Sequence, residues 1–173
     1  MSNNEVDEVI DQSVLNALAV HFPKFAAILD PAVSGPYNTA EPPATPDEID
    51  EMERVWEVPF PASYKVFLGI TRGISVFGGG LQTNCHPFFH TYPPDDDLPP
   101  KSQQSVKIGP RPSEGMLCFA DYCLEADGDQ ALFDVSQGLI HGEYPVYYYN
   151  HDVPSVRKVA DSFKEFLEEF VVG

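Results

Sequence analysis

Residues 45–73 read TPDEIDEMERVWEVPFPASYKVFLGITRG, and this stretch predicts two amphipathic helices joined by a tight corner. Thr45 is a typical N-cap residue, Pro46 suits the first helical position, and Glu48 completes a capping box. Acidic side chains in this first turn also lie near the positive end of the helix dipole. The expected apolar stripe of the first helix consists of Ile49, Met52, Val55 and Trp56.

The corner between the two helices has a proline on each side of Phe60. Pro59 is expected to stop the first helix because proline has no N–H group to donate. Pro61 is expected to start the second helix, since an N–H group at that position would be unpaired anyway. The side chains expected to pack inward, before an exit turn at Arg72-Gly73, are Phe60, Tyr64, Phe67 and Leu68.

Helical spacing of apolar residues predicts two further helical regions. One covers residues 5–22, is ended or bent by Pro23, and is followed by a short helical turn at KFAAILD. Residues 31–44 are rich in proline and small residues and are expected to form a surface connection. The other is a terminal helix, and its expected apolar face consists of Val156, Val159, Ala160, Phe163, Phe166, Leu167 and Phe170.

The middle of the chain has the composition of β-structure. The segment GISVFGGGLQT is typical of a strand broken by glycines, and residues 86–112 are expected to form a proline-rich loop or insertion. The segments MLCFA, DQALFDV and PVYYYN are short, aromatic and separated by glycine-containing turns, which predicts an antiparallel sheet. The order of these elements along the chain is helices, then strands, then a helix. This order favours a single α+β domain in which the sheet packs against the helices.

The chain is strongly acidic. Ten lysines and arginines stand against 27 aspartates and glutamates in 173 residues, a formal net charge of −17. Nucleic acid and anionic membranes bind through cationic side chains, so we expect neither as a partner. A basic protein would instead be attracted and steered towards this chain.

The sequence pattern also predicts a cytoplasmic location. No apolar run approaches the roughly 18 residues needed to span a bilayer. The N-terminus, MSNNEVDEVIDQSV, has acids where an export signal carries positive charge. Three cysteines in no metal-like or redox-like spacing are expected to be reduced thiols.

Two stretches concentrate the negative charge: residues 41–57 contain a single base, and residues 112–156 contain none. Within the second stretch, alternation along a strand places Tyr147 and Tyr149 on one face and Tyr148 on the other. One face is expected to be core and the other exposed, where tyrosine beside carboxylates can anchor a partner. The predicted partner-binding residues are Asp121, Glu125, Asp127, Asp129, Tyr144, Tyr147, Tyr148, Tyr149 and Asp152.

Two segments could be interpreted as metal sites, but a loop is the better interpretation of the first and a turn of the second. Cys85, His86 and His90 lie near the aspartate run 95–97, but dedicated zinc sites have a tighter ligand pattern. The segment DGDQALFD lacks the spaced oxygen ligands and the closing glutamate of an EF-hand, which favours a turn. We therefore predict no metal and no cofactor.

Catalytic motifs are also missing from the sequence. It contains no nucleophile elbow, no Walker-type loop and no His-Glu-x-x-His motif. His141 and His151 could pair with Asp127 and Asp129 for acid–base chemistry, but nothing in their spacing brings them together. We therefore predict no catalytic residues.

Three blocks of the sequence resemble the SUKH superfamily. PPATPDEIDEMERVWEVPFPASYKVFLGITRG is similar to the capped helix, Leu-Pro-x-x-Tyr corner and Asn-Gly exit of that family, with Phe60 in place of leucine and Arg72 in place of asparagine. LCFADYCLEADGDQALFDV is similar to its central hairpin with an acidic Gly-Asp turn. VYYYNHDVPSVRKVADSFKEFLEEF is similar to its final strand and terminal helix. The segment 86–112 is longer than is usual in the family.

The resemblance implies a SUKH-like α+β domain at residues 41–173, with residues 1–40 as an N-terminal helical extension packed on it. It implies no catalytic residues and a common role in binding a partner protein. SUKH domains include many bacterial immunity proteins and a fungal regulator of cell-wall synthesis.

Two functions follow from the resemblance. The first is an immunity protein that neutralises a cognate, basic, nuclease-like domain of a polymorphic toxin. The second is a regulatory scaffold of the cell-wall-synthesis type. The near absence of long disordered flanks favours the first, and we expect a monomer.

Overall fold

A computed structural model describes residues 10–34, 38–76, 79–82, 86–87, 115–121, 129–150 and 155–173. The helices in these ranges are α1 (Gln12–His21), α2 (Pro23–Leu29), α3 (Pro31–Ser34), α4 (Pro46–Trp56), α5 (Ala62–Ile70) and α6 (Phe163–Glu165). A π-helix at Phe166–Val171 continues α6. The strands in the same ranges are β1 (Thr39–Ala40), β2 (Gly73–Val76), β3 (Gly79–Gln82), β4 (His86–Pro87), β5 (Met116–Asp121), β6 (Gln130–Asp134), β7 (Val146–Asn150) and β8 (Ser155–Ala160).

The strands of the described ranges form two antiparallel sheets. One has the order β1-β2-β3, and the other has the order β4-β5-β6-β7-β8. Within each sheet, strands that are consecutive in the chain lie side by side, as in a meander. Together with the helices, the two sheets confirm the predicted α+β class.

The predicted start of α4 is confirmed in atomic detail. The Thr45 hydroxyl accepts a hydrogen bond of 3.3 Å from the Glu48 backbone N–H, and the Glu48 carboxylate accepts one of 2.8 Å from the Thr45 N–H. The helix ends at Trp56, before the predicted stop at Pro59, because Glu57 adopts a left-handed conformation with φ of 55°. Pro61 is the N-cap of α5, one position earlier than predicted.

The corner buries Phe60 in an aromatic core, as predicted. Phe60, Tyr64, Phe67 and Leu68 are all buried. The ring of Phe163 lies 5.0 Å from that of Tyr64 and 5.2 Å from that of Phe67, measured between centroids. In α4, Ile49 is buried and Trp56 is partly buried, but Val55 is 56% exposed, so its place in the predicted stripe is wrong.

The N-terminal helices share this core. Phe22, between α1 and α2, has its ring 6.2 Å from the rings of Phe67 and Phe163. Phe25 of α2 is completely buried. The predicted bend at Pro23 is confirmed, since Pro23 is the first residue of α2. The division of the chain at residue 40 stays a prediction.

The predicted terminal helix begins too early. Val156, Val159 and Ala160 were expected on its apolar face, yet they lie in β8, which pairs with β7. The helix begins at Phe163, where the Ser162 hydroxyl caps it by accepting a hydrogen bond of 3.1 Å from the Glu165 N–H. Hydrogen bonding to a neighbouring strand overrides the helical spacing here.

Three connecting segments are more ordered than their composition predicts. Part of residues 31–44 forms α3 and the edge strand β1. Residues 73–76 and 79–82 form two paired strands, β2 and β3, rather than one broken strand. Two residues of the expected 86–112 loop form β4, which pairs with β5, and residues 88–112 lie outside the described ranges.

Candidate partner-binding surface

Asp129 and Tyr148, two of the predicted partner-binding residues, contact each other inside the protein. Asp129 immediately precedes β6, and Tyr148 lies on β7, which pairs with β6. The Tyr148 hydroxyl donates a hydrogen bond of 2.7 Å to a carboxylate oxygen of Asp129, and both side chains are buried. A buried carboxylate requires such donors because its desolvation is costly. Asp129 therefore contributes to the interior of the fold.

Tyr144 is a third predicted residue that lies in the interior. It is 1% exposed, and its ring centroid lies 6.0 Å from that of Phe133. Burial raises the pKa of the Tyr144 phenol above its ordinary range, and the negative charge of Glu53 raises it further. Tyr144 is thus a neutral core side chain at physiological pH.

The predicted alternation of the tyrosine run is present, but its second face is also covered. Tyr148 belongs to the main core, whereas Tyr149 is 4% exposed on the opposite face. The expectation that this opposite face is exposed is therefore wrong for Tyr149. Tyr147 is partly buried and pairs with Lys158 of β8. The buried residues that pack with Tyr149 are Met116, Cys118 and Leu132.

The remaining predicted residues cannot be placed in the same way. Glu125, Asp127 and Asp152 lie outside the described residues. Asp121 is described by its backbone position, opposite Gln130 of β6. Their role in binding a partner stays a prediction.

The described acidic surface with the clearest geometry is α4. Hydrogen bonds from the Thr45 backbone and from Arg72 hold the pKa of Glu48 below its ordinary range. Arg54 does the same for the pKa of Glu51. These pairings neutralise part of the helix surface. The exposed acids of α4 and its C-cap that form no ion pair with described residues are Asp47, Asp50 and Glu57.

Metal-binding and membrane-spanning features are also missing where the structure describes the chain. No group of three His, Cys, Asp or Glu side chains there could hold a metal ion. Cys85, His90 and the side chain of His86, which formed the weaker metal interpretation, lie outside the described part. None of the described helices is long and apolar enough to cross a bilayer.

Two surface features were missed by sequence reasoning. Val66 of α5 and the turn residues Leu139 and Ile140 are large apolar side chains exposed to solvent. The sequence does contain one indication: Val66 and Gly69 are not among the residues predicted to face inward from α5. The three exposed residues belong to α5 and to the residues around the turn at Ile140–Glu143, and not to β7, which carries the tyrosine run.

Comparisons with known proteins identify one match. The model of the SMI1 / KNR4 family (SUKH-1) matches residues 43–169, which is well over half of the chain. This range includes α4, the corner, α5 and the five-stranded sheet. No curated protein and no solved structure matches the chain.

Proposed function

The chain belongs to the SMI1/KNR4 family (SUKH-1), and we propose from this premise that it is an immunity protein that binds and neutralises a basic toxin domain. The family is generally non-enzymatic and points to protein–protein interaction. The proposed partner is a nuclease-like domain of a polymorphic toxin. Such a domain must carry a basic cleft in order to bind nucleic acid.

The observation that carries this proposal is the net charge of −17 together with the exposed acids of α4. Asp47, Asp50 and Glu57 form no ion pair in the described part of the chain, so their field is not cancelled locally. Opposite charges steer two proteins together and raise the association rate, and salt screens this attraction over about 8 Å at physiological ionic strength. A basic toxin domain is the partner that gains most from such a field.

Neutralisation by this route needs no chemical step. The acidic protein would cover the basic cleft and exclude the nucleic acid, so protection should be stoichiometric. We expect a dissociation constant in the nanomolar range or below and a total buried area of about 1,200–2,000 Å².

The test uses the purified full chain and the C-terminal domain of a large secreted protein encoded in the adjacent reading frame. Surface plasmon resonance should give a nanomolar complex, and equimolar addition should abolish the toxicity or nuclease activity of that domain. Lysozyme, an unrelated small basic protein, is the control for charge attraction alone. Absence of the toxin complex, or tight binding of nucleic acid at physiological salt, would contradict the proposal.

A regulatory scaffold is the alternative that the same family allows. Deleting the gene separates the two functions. Loss of protection against the toxin supports the immunity role, whereas a cell-wall defect without loss of protection supports the scaffold.

A further inference from the structure

The outer face of α5 is apolar although it is exposed to solvent. Ala62, Val66 and Gly69 recur at helical spacing on this face, and all three are exposed. A helix packed on a core normally carries charged or polar residues on its outer face. The buried residues of the opposite face are Tyr64, Phe67 and Leu68.

A tight turn lies beside the start of α5. Ile140 and Glu143 exchange two backbone hydrogen bonds, of 2.8 and 3.1 Å. The two residues between them, His141 and Gly142, have φ angles of 52° and 79°, as in a type I′ turn. His141 is thus a non-glycine residue in the left-handed region, where strained conformations are often functional.

Hydrogen bonds attach this turn to the first turn of α5. The Gly142 carbonyl accepts a hydrogen bond of 2.9 Å from the Ala62 N–H. The Glu143 carboxylate accepts two, each of 2.8 Å, from the Ser63 N–H and the Ser63 hydroxyl. The turn is therefore held in place. The large apolar residues that it exposes are Leu139, at 37%, and Ile140, at 50%.

Gly69 is not required by the packing of the fold. A Cβ atom at this position would meet nothing within 4 Å. Glycine inside a helix is less favourable than almost any other residue, so a side chain here would strengthen α5. A glycine at such a position suits the close approach of another surface to the helix backbone.

The charges beside this face indicate the kind of partner. Two ion pairs connect α4 with α5 and with the chain two residues beyond it: Glu53 pairs with Lys65 at 2.6 Å, and Glu48 pairs with Arg72. These pairs neutralise Lys65 and Arg72. A third base, Lys164, is exposed beside the first turn of α5, where its backbone N–H donates a hydrogen bond of 3.2 Å to the Ser63 hydroxyl. The helix α4 keeps exposed acids without ion pairs among the described residues. An apolar centre with an acidic border complements an apolar surface bordered by lysine and arginine. A second copy of this chain would bring like charge instead.

We infer that the α5 ridge, defined as Ala62, Val66, Gly69, Leu139 and Ile140, is the surface on which the basic toxin domain docks. This inference rests on the proposed function and names its binding site. Val66 and Ile140 supply the apolar anchors, and Gly69 lets the partner approach the helix. The acids of α4 steer the encounter.

The test compares four substitutions that leave the net charge unchanged: Val66→Gln, Ile140→Gln, Gly69→Gln and, as a control, Val33→Gln. Val33 is 72% exposed on α3, outside the ridge. With the toxin domain as the probe, each ridge variant should raise the dissociation constant at least about tenfold through faster dissociation. The Val33→Gln variant should stay within about twofold of the wild type.

Gly69→Gln separates binding from folding, because the fold has room for the new side chain and glutamine is a better helix former. Its thermal midpoint should equal or exceed that of the wild type, while its affinity for the toxin domain falls. A purely structural role for Gly69 would lower the midpoint, and that result would contradict the inference.

The outcomes for the ridge and for the proposed function are distinguishable. If the wild type binds the toxin domain and the ridge variants bind as tightly as Val33→Gln, the docking site is overturned and the proposed function stands. If the wild type binds no toxin domain, the proposed function fails and the inference fails with it. If the wild type is a dimer that Ile140→Gln converts to a monomer, the occupant is a second copy, which overturns the inference.

Discussion

The hydroxyl of Tyr148 donates a buried hydrogen bond of 2.7 Å to the carboxylate of Asp129, across the boundary between β7 and the start of β6. Asp129 ends the acidic segment 121–129, in which several residues were predicted to contact a partner. The hydrogen bond therefore removes two residues from the predicted partner-binding surface. Asp129 and Tyr148 belong to the interior, while Glu125 and Asp127 stay candidates for the partner contact.

Tyr148→Phe should lower the free energy of unfolding by about 1–3 kcal/mol, because it removes a hydrogen-bond donor from a buried carboxylate. Urea denaturation of the wild type and the variant measures this difference. Tyr147→Phe is the matched control, since Tyr147 is the neighbouring residue and is only partly buried. The free energy of unfolding of this variant should stay within about 0.5 kcal/mol of the wild-type value. Equal losses in the two variants would show that the buried hydrogen bond has no special role.

Glu168→Ala should destabilise the protein by about 1–2 kcal/mol, the usual effect of losing a helix cap. The N-cap of α2 has no side-chain hydrogen bond of its own. The buried Glu168 carboxylate instead accepts hydrogen bonds from the backbone N–H groups of Lys24, at 3.2 Å, and Phe25, at 3.1 Å.

Glu169→Ala is the control for this cap. Glu169 forms an exposed ion pair with Lys24, and an ion pair in full contact with solvent contributes little to stability. Thermal and urea unfolding of both variants test the difference. If Glu169→Ala is as destabilising as Glu168→Ala, then charge near Lys24 matters more than capping.

Glu48→Gln should weaken the dependence of stability on pH in the acidic range. Hydrogen bonds from the Thr45 backbone and then from Arg72 lower the pKa of Glu48 in the folded state. Because the pKa of Glu48 is lower in the folded state than in the unfolded state, the ionised carboxylate stabilises the fold at pH values above the ordinary glutamate pKa. This stabilisation is lost as the pH falls through the pKa of the folded state. The wild type and Glu48→Gln should therefore differ most near neutral pH and converge in acid.

Urea midpoints measured from neutral pH down into the acid range test this prediction. Asp50→Asn is the control, because the Asp50 side chain is exposed and forms no ion pair or hydrogen bond with described residues. If the urea midpoints of the wild type and Glu48→Gln differ by the same amount at all pH values, then ionisation of Glu48 is not coupled to stability, and the prediction is wrong.

Charge reversal at Glu125 and Asp127 should slow association with the toxin domain and flatten its salt dependence, since rim charges act mainly on encounter. If the tyrosine run rather than the α5 ridge anchors the partner, Tyr147→Ala should instead speed dissociation, because Tyr147 is the described residue of the tyrosine run that keeps exposed surface. Stopped-flow or surface plasmon resonance gives both rate constants. Asp129 is excluded from this set because it is buried, so a lysine there would disrupt the fold.

The α5 ridge variants provide the comparison for this prediction. If Glu125→Lys, Asp127→Lys and Tyr147→Ala leave both rate constants unchanged in a folded protein, the acidic segment and the tyrosine run lie outside the interface. Slower association with unchanged dissociation would place these residues at the rim of a complex centred elsewhere.

The features that could be predicted from the sequence depend on residues that are close together in the chain. The capping box joins Thr45 to Glu48, three positions away. The inward face of α5 follows from helical spacing alone, and Phe60 lies between two prolines that end one helix and position the next. Net charge depends on composition and on no contact at all.

The features that could not be predicted depend on contacts between distant parts of the chain. Val156 and Val159 have the same helical spacing as Phe163, but they form β8 because β7 is available to pair with it. Glu168 caps a helix that lies 143 positions earlier, and no local pattern indicates such a cap. Asp129 looks like a surface acid in a turn until Tyr148 is brought against it.

The physical reason for this difference is the range of the interactions. Helix caps, proline breaks and periodicity act within about one turn of the chain, so the order of residues specifies them. Strand pairing, burial of a charged group and caps supplied from elsewhere depend on which surfaces meet after the chain has closed on itself. The α5 ridge belongs to the second class, because the turn at Ile140–Glu143 comes to lie beside α5 only when it docks on Ala62 and Ser63.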